Sequence, residues 1–463
     1  MSKIEAMAIL KQKQELRRGG LLAVREAGGE DEVRAQDKPH GNDIMDWLSQ
    51  NNGRLEVFEQ RWLLGVNRWS LIFAASPPLW TEMRKFTVRT LREFGFGKIY
   101  TMHSVIITEV NLLADEFRKK IKSDNGVVKF RNTFSLSVLN VLWCMVAGIR
   151  YEHDDPRLLK LMGHIFNMSK SVTFGNPLEL MLPFTKKFAP WLLKANLRNK
   201  VFDSCHELSK TLIEERKAEG FYLSGPQNYI DVFLKKIHDH RDNNETVYTE
   251  QQLQAMLADL LMVGSLTLNA TLNYGILFLT LNPEIQKKCQ NEIDSIVPRH
   301  NAPTVDDIEK MPYFQAFMLE MHRCANVVPN PVPRLVPKDW NLRGYRIPKD
   351  TVILTNHYSV NTDEKIWGDP RVFRPERFIN EKGEFVPDPR VVVFGFGKRI
   401  CIGINLVNSI VPLFLGSLLQ QFNFSVVPGT EPPSPEPEIG VSLSPQEFPC
   451  QLIQRESPNK IPV

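Results

Sequence analysis

The chain has 463 residues, 43% hydrophobic and 24% charged, an ordinary globular balance that excludes low-complexity and disordered classes. A chain of this length buries a large core without disulfides, and the length alone sets a soft prior of about three domains, although single large domains reach this size. The net charge of +4, with no dense Lys/Arg tract, excludes nucleic acid as the expected partner.

Residues 1–50 are polar and mixed in charge and contain no run able to span a bilayer. They are set apart as an atypical amino-terminal segment without a membrane anchor, and residues 51–463 are read as one domain. From Leu79 to Phe94 an amphipathic pattern predicts a helix stopped by Gly95. That stretch is basic, with Arg84, Lys85, Arg89 and Arg92, and Lys98 follows it. It is either a solvated helix face or a docking surface for an acidic partner.

Further helices are predicted over Asn132–Ile149, Phe202–Lys217, Tyr229–His240, Gln251–Leu281, Pro283–Ile296, Thr304–Met311 and Pro312–Asn326. Asn341–Ile347 and Asp350–Asn356 read as a hairpin turning at Pro348-Lys349, and short strands are expected near Phe422–Val427 and Cys450–Gln454. After Asn356 the chain becomes irregular and rich in Pro, Asp, Gly and Arg; a long irregular run inside a folded domain is often functional. The apolar runs Leu260–Leu281 and Ile404–Phe422 carry Asn, Gln, Ser and Thr, so both are expected to be core helices. The six cysteines are scattered without a CxxC pair, as expected of free thiols in a reducing compartment.

The strongest chemical signal is Phe394-Gly395-Phe396-Gly397-Lys398-Arg399-Ile400-Cys401-Ile402-Gly403, placed just before an apolar helix. Glycines at 395, 397 and 403 permit a tight loop whose backbone N–H groups approach the sulfur. The positive end of the following helix is expected to lower the thiol pKa. The plain alternative is a glycine-rich turn holding an ordinary buried cysteine.

This string resembles the haem-binding loop of the cytochrome P-450 family, whose thiolate ligand pushes electron density to the iron and favours O–O cleavage. Independent positions carry the same resemblance. Glu320-Met321-His322-Arg323 supplies an ExxR, whose spacing puts Glu320 and Arg323 on one helix face. Phe373-Arg374-Pro375-Glu376-Arg377-Phe378 looks like the PERF element, and Trp80 and Arg84 fit the WxxxR helix. Pro226–Leu234 and Phe94–Lys98 are similar to the microsomal family-2-like clan.

The resemblance implies a mainly α fold with a small β region, the haem lying between the long helix and the helix after the Cys loop. It implies Cys401 as the iron ligand, with Phe394, Gly264 and Gly403 beside the cofactor. Trp80, Arg84, Arg334 and Arg399 would bind the haem propionates, since guanidinium forks suit carboxylates. Glu320, Arg323 and Arg377 would form a buried triad, and Thr267 would help deliver protons to bound O2. Pocket walls would come from Arg61–Ser76, Leu257–Leu268, Val327–Val336 and Val441–Leu443, with Phe73, Val263, Val328, Val332 and Leu443 making the cavity hydrophobic.

The implied activity is insertion of one oxygen atom of O2 into an apolar organic substrate: a lipid, steroid, terpenoid or xenobiotic. NADPH electrons would arrive through NADPH-cytochrome P-450 reductase, docked on the basic helix, at the cytosolic face of the endoplasmic reticulum, with a soluble cytoplasmic location as the alternative. Peripheral membrane contact would fall on the apolar Phe174–Leu193 region. Three positions depart from the family pattern. Leu266 stands where an acid usually precedes the threonine, Val393 replaces a proline, and Asn405 replaces a glutamate. Leu266 cannot relay protons, so Leu266→Glu is expected to raise coupling of electron use to product. The alternatives are a reductase-independent lipid hydroperoxide isomerase or dehydratase, and a non-catalytic haem-binding protein.

Overall fold

A computed structural model describes residues 77–95, 99–171 and 195–455, except Asn244, Pro333, Pro337, Arg343 and Asp350. Phe73, Lys98 and the Arg61–Ser76 and Phe174–Leu193 stretches lie wholly or almost wholly outside the described residues.

Helices dominate. In chain order they are α1 (Pro77–Glu93), α2 (Ile99–Ser123), α3 (Ser135–Val146), α4 (Pro156–Ser171), α5 (Ala195–Glu219), α6 (Tyr229–Asp239), α7 (Glu250–Leu281), α8 (Pro283–Ile296), α9 (Pro312–Ala325) and α10 (Ile404–Gln421). α2 and α4 are additions to the sequence reading. The segment Thr304–Met311 closes into a single turn, Val305–Ile308, whose capping box pairs Thr304 with Asp307.

The long helix α7 is the axis of the core. It packs on α3, α5, α9 and α10. Thr249 caps its start by accepting from the Gln252 amide. Asn282-Pro283 ends it, because Pro283 cannot continue the ladder and instead opens α8. Its buried asparagines are used: Asn269 and Asn273 donate to the Arg131 carbonyl at 2.8 and 2.9 Å, and Asn269 accepts from the Phe134 amide. These bonds pin the helix to the loop after the first strand. α7 and α10 are long and apolar enough to cross a membrane, but 78% and 72% of their apolar windows are buried inside the protein. They are the core helices the sequence predicts.

The strands are short: β1 (Val127–Phe130), β2 (Arg334–Leu335), β3 (Trp340–Leu342), β4 (Tyr345–Ile347), β5 (Val352–Ile353), β6 (Phe422–Ser425), β7 (Pro437–Glu438), β8 (Ser444–Pro445) and β9 (Phe448–Gln454). β1, β9 and β6 form an antiparallel sheet in that order, and Phe130 stacks on its register partner Phe448. The expected hairpin is displaced. β3 pairs with β4 around Gly344, whose left-handed φ of +88° suits the turn, while β5 pairs back to β2. Pro348-Lys349 therefore joins two pairs rather than turning one.

Candidate active site

The Cys loop is shaped by its glycines. Gly395 and Gly397 have φ of +71° and +64°, a region that L side chains rarely adopt. Gly403 differs from expectation: its φ is −79°, so the turn does not require glycine there. A Cβ on Gly403 would meet the Cys401 sulfur at 3.6 Å, an ordinary contact. The Cys401 amide donates to the Phe394 carbonyl at 2.9 Å, closing the loop on itself.

Cys401 is exposed to solvent, yet the protein atoms around its sulfur partly desolvate it. That burial raises its thiol pKa, against the backbone N–H groups of Gly403 and Ile404 and the charge of Arg84, which lower it. The helix start favours the thiolate, as the sequence reading expects, while desolvation of the sulfur opposes it.

Cations surround the loop. Arg84, on α1, donates from Nη2 to the Ile400 carbonyl at 2.6 Å. The Arg399 guanidinium sits 3.7 Å from the centre of the Trp80 ring, and that of Arg84 sits 5.5 Å from it. Arg334 is partly exposed by area, but desolvation, with the charge of Arg84 adding to it, pushes its pKa down to about 10. It stays charged at neutral pH. Among the described residues no carboxylate pairs with Arg84 or Arg334. Two desolvated cations that repel each other beside an accessible thiol need anions from elsewhere. The donor set fits a haem, which brings two carboxylates and an iron.

The middle of α7 is buried except for a narrow accessible stripe at Met262, Val263, Gly264 and Thr267. Val263 is 42% exposed, and Thr267 lies one turn on. The Thr267 hydroxyl donates to the Val263 carbonyl at 3.0 Å, and the helix runs through this point unbroken. The Cβ position of Gly264 faces away to α3, where an added methyl would meet Leu142 at 2.6 Å. Helix packing thus gives this glycine a reason of its own, beside the cofactor contact that the resemblance implies for its accessible side. Leu266 is buried in the core. Of the other pocket candidates, Val328 and Val332 are partly exposed and Leu443 is buried, its amide donating to the Val327 carbonyl at 2.8 Å.

Behind the site, Glu320, Arg323 and Arg377 come together. Arg323 forks onto Glu320 at 2.7 and 2.8 Å, and Arg377 Nε reaches Glu320 at 3.1 Å. The Arg374 amide also donates to Glu320, while Arg377 donates to the Trp367 and Asp369 carbonyls. Glu320 and Arg323 are fully buried, so this network fixes the path of the irregular chain that leads to the Cys loop.

Two histidines escaped the sequence reading. The His322 ring packs against Phe394 at 5.6 Å between centroids, and burial pushes its pKa down to about 4. His357 is buried with no hydrogen-bond partner on either ring nitrogen among the described residues, and burial pushes its pKa to about 4 as well. The only sequence signal for His322 was its place inside ExxR.

Fold and site together define a class: a mainly α protein with small sheets, a buried Glu-Arg-Arg triad and a cysteine loop ringed by cations. The family model for Cytochrome P450 matches residues 52–452, and the chain belongs to that family of haem-containing monooxygenases. It is 32% identical over 379 residues to farnesoate epoxidase of Bombyx mori, covering 82% of this chain and 75% of that protein. It is also 30% identical over 394 residues to cytochrome P450 2D26 of Rattus norvegicus, covering 83% and 76%. Cytochrome P450 2U1 of Homo sapiens is 30% identical over 392 residues, covering 83% and 70%.

Proposed function

We propose that this protein inserts one oxygen atom of O2 into an apolar organic substrate, with NADPH electrons delivered by NADPH-cytochrome P-450 reductase. Haem b, when bound, supplies the O2 chemistry. The observation that carries the reading is the accessible Cys401 beside the desolvated cations Arg84 and Arg334. Cys401 would ligate the iron. Arg84, Arg334 and Arg399 would pair with the two propionates, with Trp80 stacked beneath Arg399, and Phe394 and Gly403 would line the cofactor.

Thr267 would hold a proton at Oγ1 on the accessible stripe of α7, next to Val263. Val263, Val328, Val332 and Leu443 would exclude water and favour an apolar substrate. The exposed Lys85, Arg89 and Arg92 of α1 would face the reductase, although Arg89 also pairs with Glu93. Residues 51–463 would act as one body at the cytosolic face of the endoplasmic reticulum.

The first compound to assay is farnesoate, which the Bombyx mori relative's name points to, beside steroid and xenobiotic probes. Product that needs both NADPH and reductase supports the proposal. Leu266, apolar where the family carries an acid, favours a second reading, in which an oxygenated lipid is rearranged without a reductase. Turnover of a fatty-acid hydroperoxide without NADPH, with no NADPH-dependent product from any probe, would establish that reading instead.

A further inference from the structure

Helix α9 presents two faces to two different structures. Glu320 and Arg323 lie on the face that meets Arg377 and the irregular chain. His322 lies between them in sequence, so the helical turn sends its ring to another side. There it meets Phe394, the first residue of the Cys loop, with the two rings inclined at 67° in an edge-to-face arrangement. The Phe394 carbonyl in turn accepts the hydrogen bond from the Cys401 amide at 2.9 Å. A continuous path therefore runs from the His322 ring through the Phe394 ring and backbone to the backbone of Cys401.

Among the described residues, neither ring nitrogen of His322 hydrogen-bonds a protein group. Its interaction with the loop is thus the ring contact. Burial keeps the imidazole neutral at physiological pH, so it adds no charge beside the loop.

We propose that His322 is a positioning residue for the axial thiolate: its ring fixes Phe394, and Phe394 fixes the Cys401 backbone. The inference rests on the reading of Cys401 as the iron ligand. A thiolate held at a set position gives the iron a set reduction potential, because ligand orientation and its surrounding hydrogen bonds tune the metal. A residue that only stabilised α9 would change the amount of folded protein and leave the potential where it is.

The test is spectroelectrochemical titration of the haem-loaded full chain without substrate. His322→Gln keeps the polarity and removes the ring, whereas His322→Phe keeps a ring against Phe394. His322→Gln is expected to shift the one-electron iron equilibrium constant by about threefold or more, where tenfold corresponds to about 59 mV. His322→Phe should stay within twofold of the parent. In a Phe394→Leu background the His322→Gln shift should disappear, since the two act through one contact. Equal potentials for parent and His322→Gln would overturn the proposal, as would a full shift that persists in the Phe394→Leu background. If the parent lacks a thiolate-type spectrum, it is the assignment of Cys401 that fails. If the parent has that spectrum and His322→Gln leaves the potential unmoved, the role of His322 alone fails.

Discussion

His357 opens a short helical turn, His357–Asn361, where its amide donates to the Pro329 carbonyl at 2.9 Å. It is 4% exposed, and among the described residues neither ring nitrogen has a hydrogen-bond partner. Burial lowers its pKa from 6.5 to about 4. The folded protein therefore resists a proton that the unfolded chain accepts readily. Stability from this group is intact above the unfolded pKa. It falls as the pH drops from about 6.5 towards about 4, at about 1.4 kcal/mol per pH unit, and changes no further below that. Between pH 7 and pH 5 the loss amounts to about 2 kcal/mol. His357→Leu removes the titration and keeps an apolar group of similar bulk. Urea denaturation followed by tryptophan fluorescence should find the variant within about 1 kcal/mol of the parent at pH 7 and favoured by about 2 kcal/mol more at pH 5. A stability difference that is the same at both pH values would refute this reasoning.

Glu320→Ala leaves Arg323 as a buried cation facing the Asn361 carbonyl and the Cys324 sulfur, and Arg377 held by carbonyls and Asp369, and should cost about 3–5 kcal/mol in the same assay. Gly264→Val must push the Leu142 side chain aside within the core and should cost about 1–3 kcal/mol by overpacking. Leu266→Glu, attractive from sequence as a way to restore a proton relay, would bury a carboxylate in the core. It should lower stability by at least about 2 kcal/mol and reduce the yield of folded protein before any gain in coupling can be read.

The parts of the molecule legible in the sequence are those where chemistry and local backbone demand the same residues. The Cys loop needs glycine at positive φ, and Gly395 and Gly397 supply it. The helix boundaries at Asn282-Pro283 and Pro312 follow from the missing proline N–H, whereas the Thr249 cap lies two residues before the Gln251 start read from sequence. The ExxR spacing places Glu320 and Arg323 together, but only the fold brings Arg377 to them.

What stayed hidden depends on long-range packing. The Cys401 pKa turns on how many atoms crowd the sulfur, which no local string reports. Gly264 stands at a position the resemblance places beside the cofactor, and only the approach of α3 reveals that its Cβ side also meets Leu142. The turn at Gly344 was obscured by the stronger punctuation of Pro348-Lys349, although glycine at positive φ is what the turn needs. His322 and His357 are single histidines in apolar settings, and sequence cannot tell a packed ring from a surface one.

The central claim is that Cys401 binds haem iron as a thiolate. The absorption spectrum of the purified, dithionite-reduced, carbon-monoxide-bound protein tests it most directly. The account predicts the red-shifted Soret band of a thiolate ligand in the parent and its loss in Cys401→Ser. A parent band at the position of a neutral axial ligand, or a red-shifted band that survives Cys401→Ser, would contradict it.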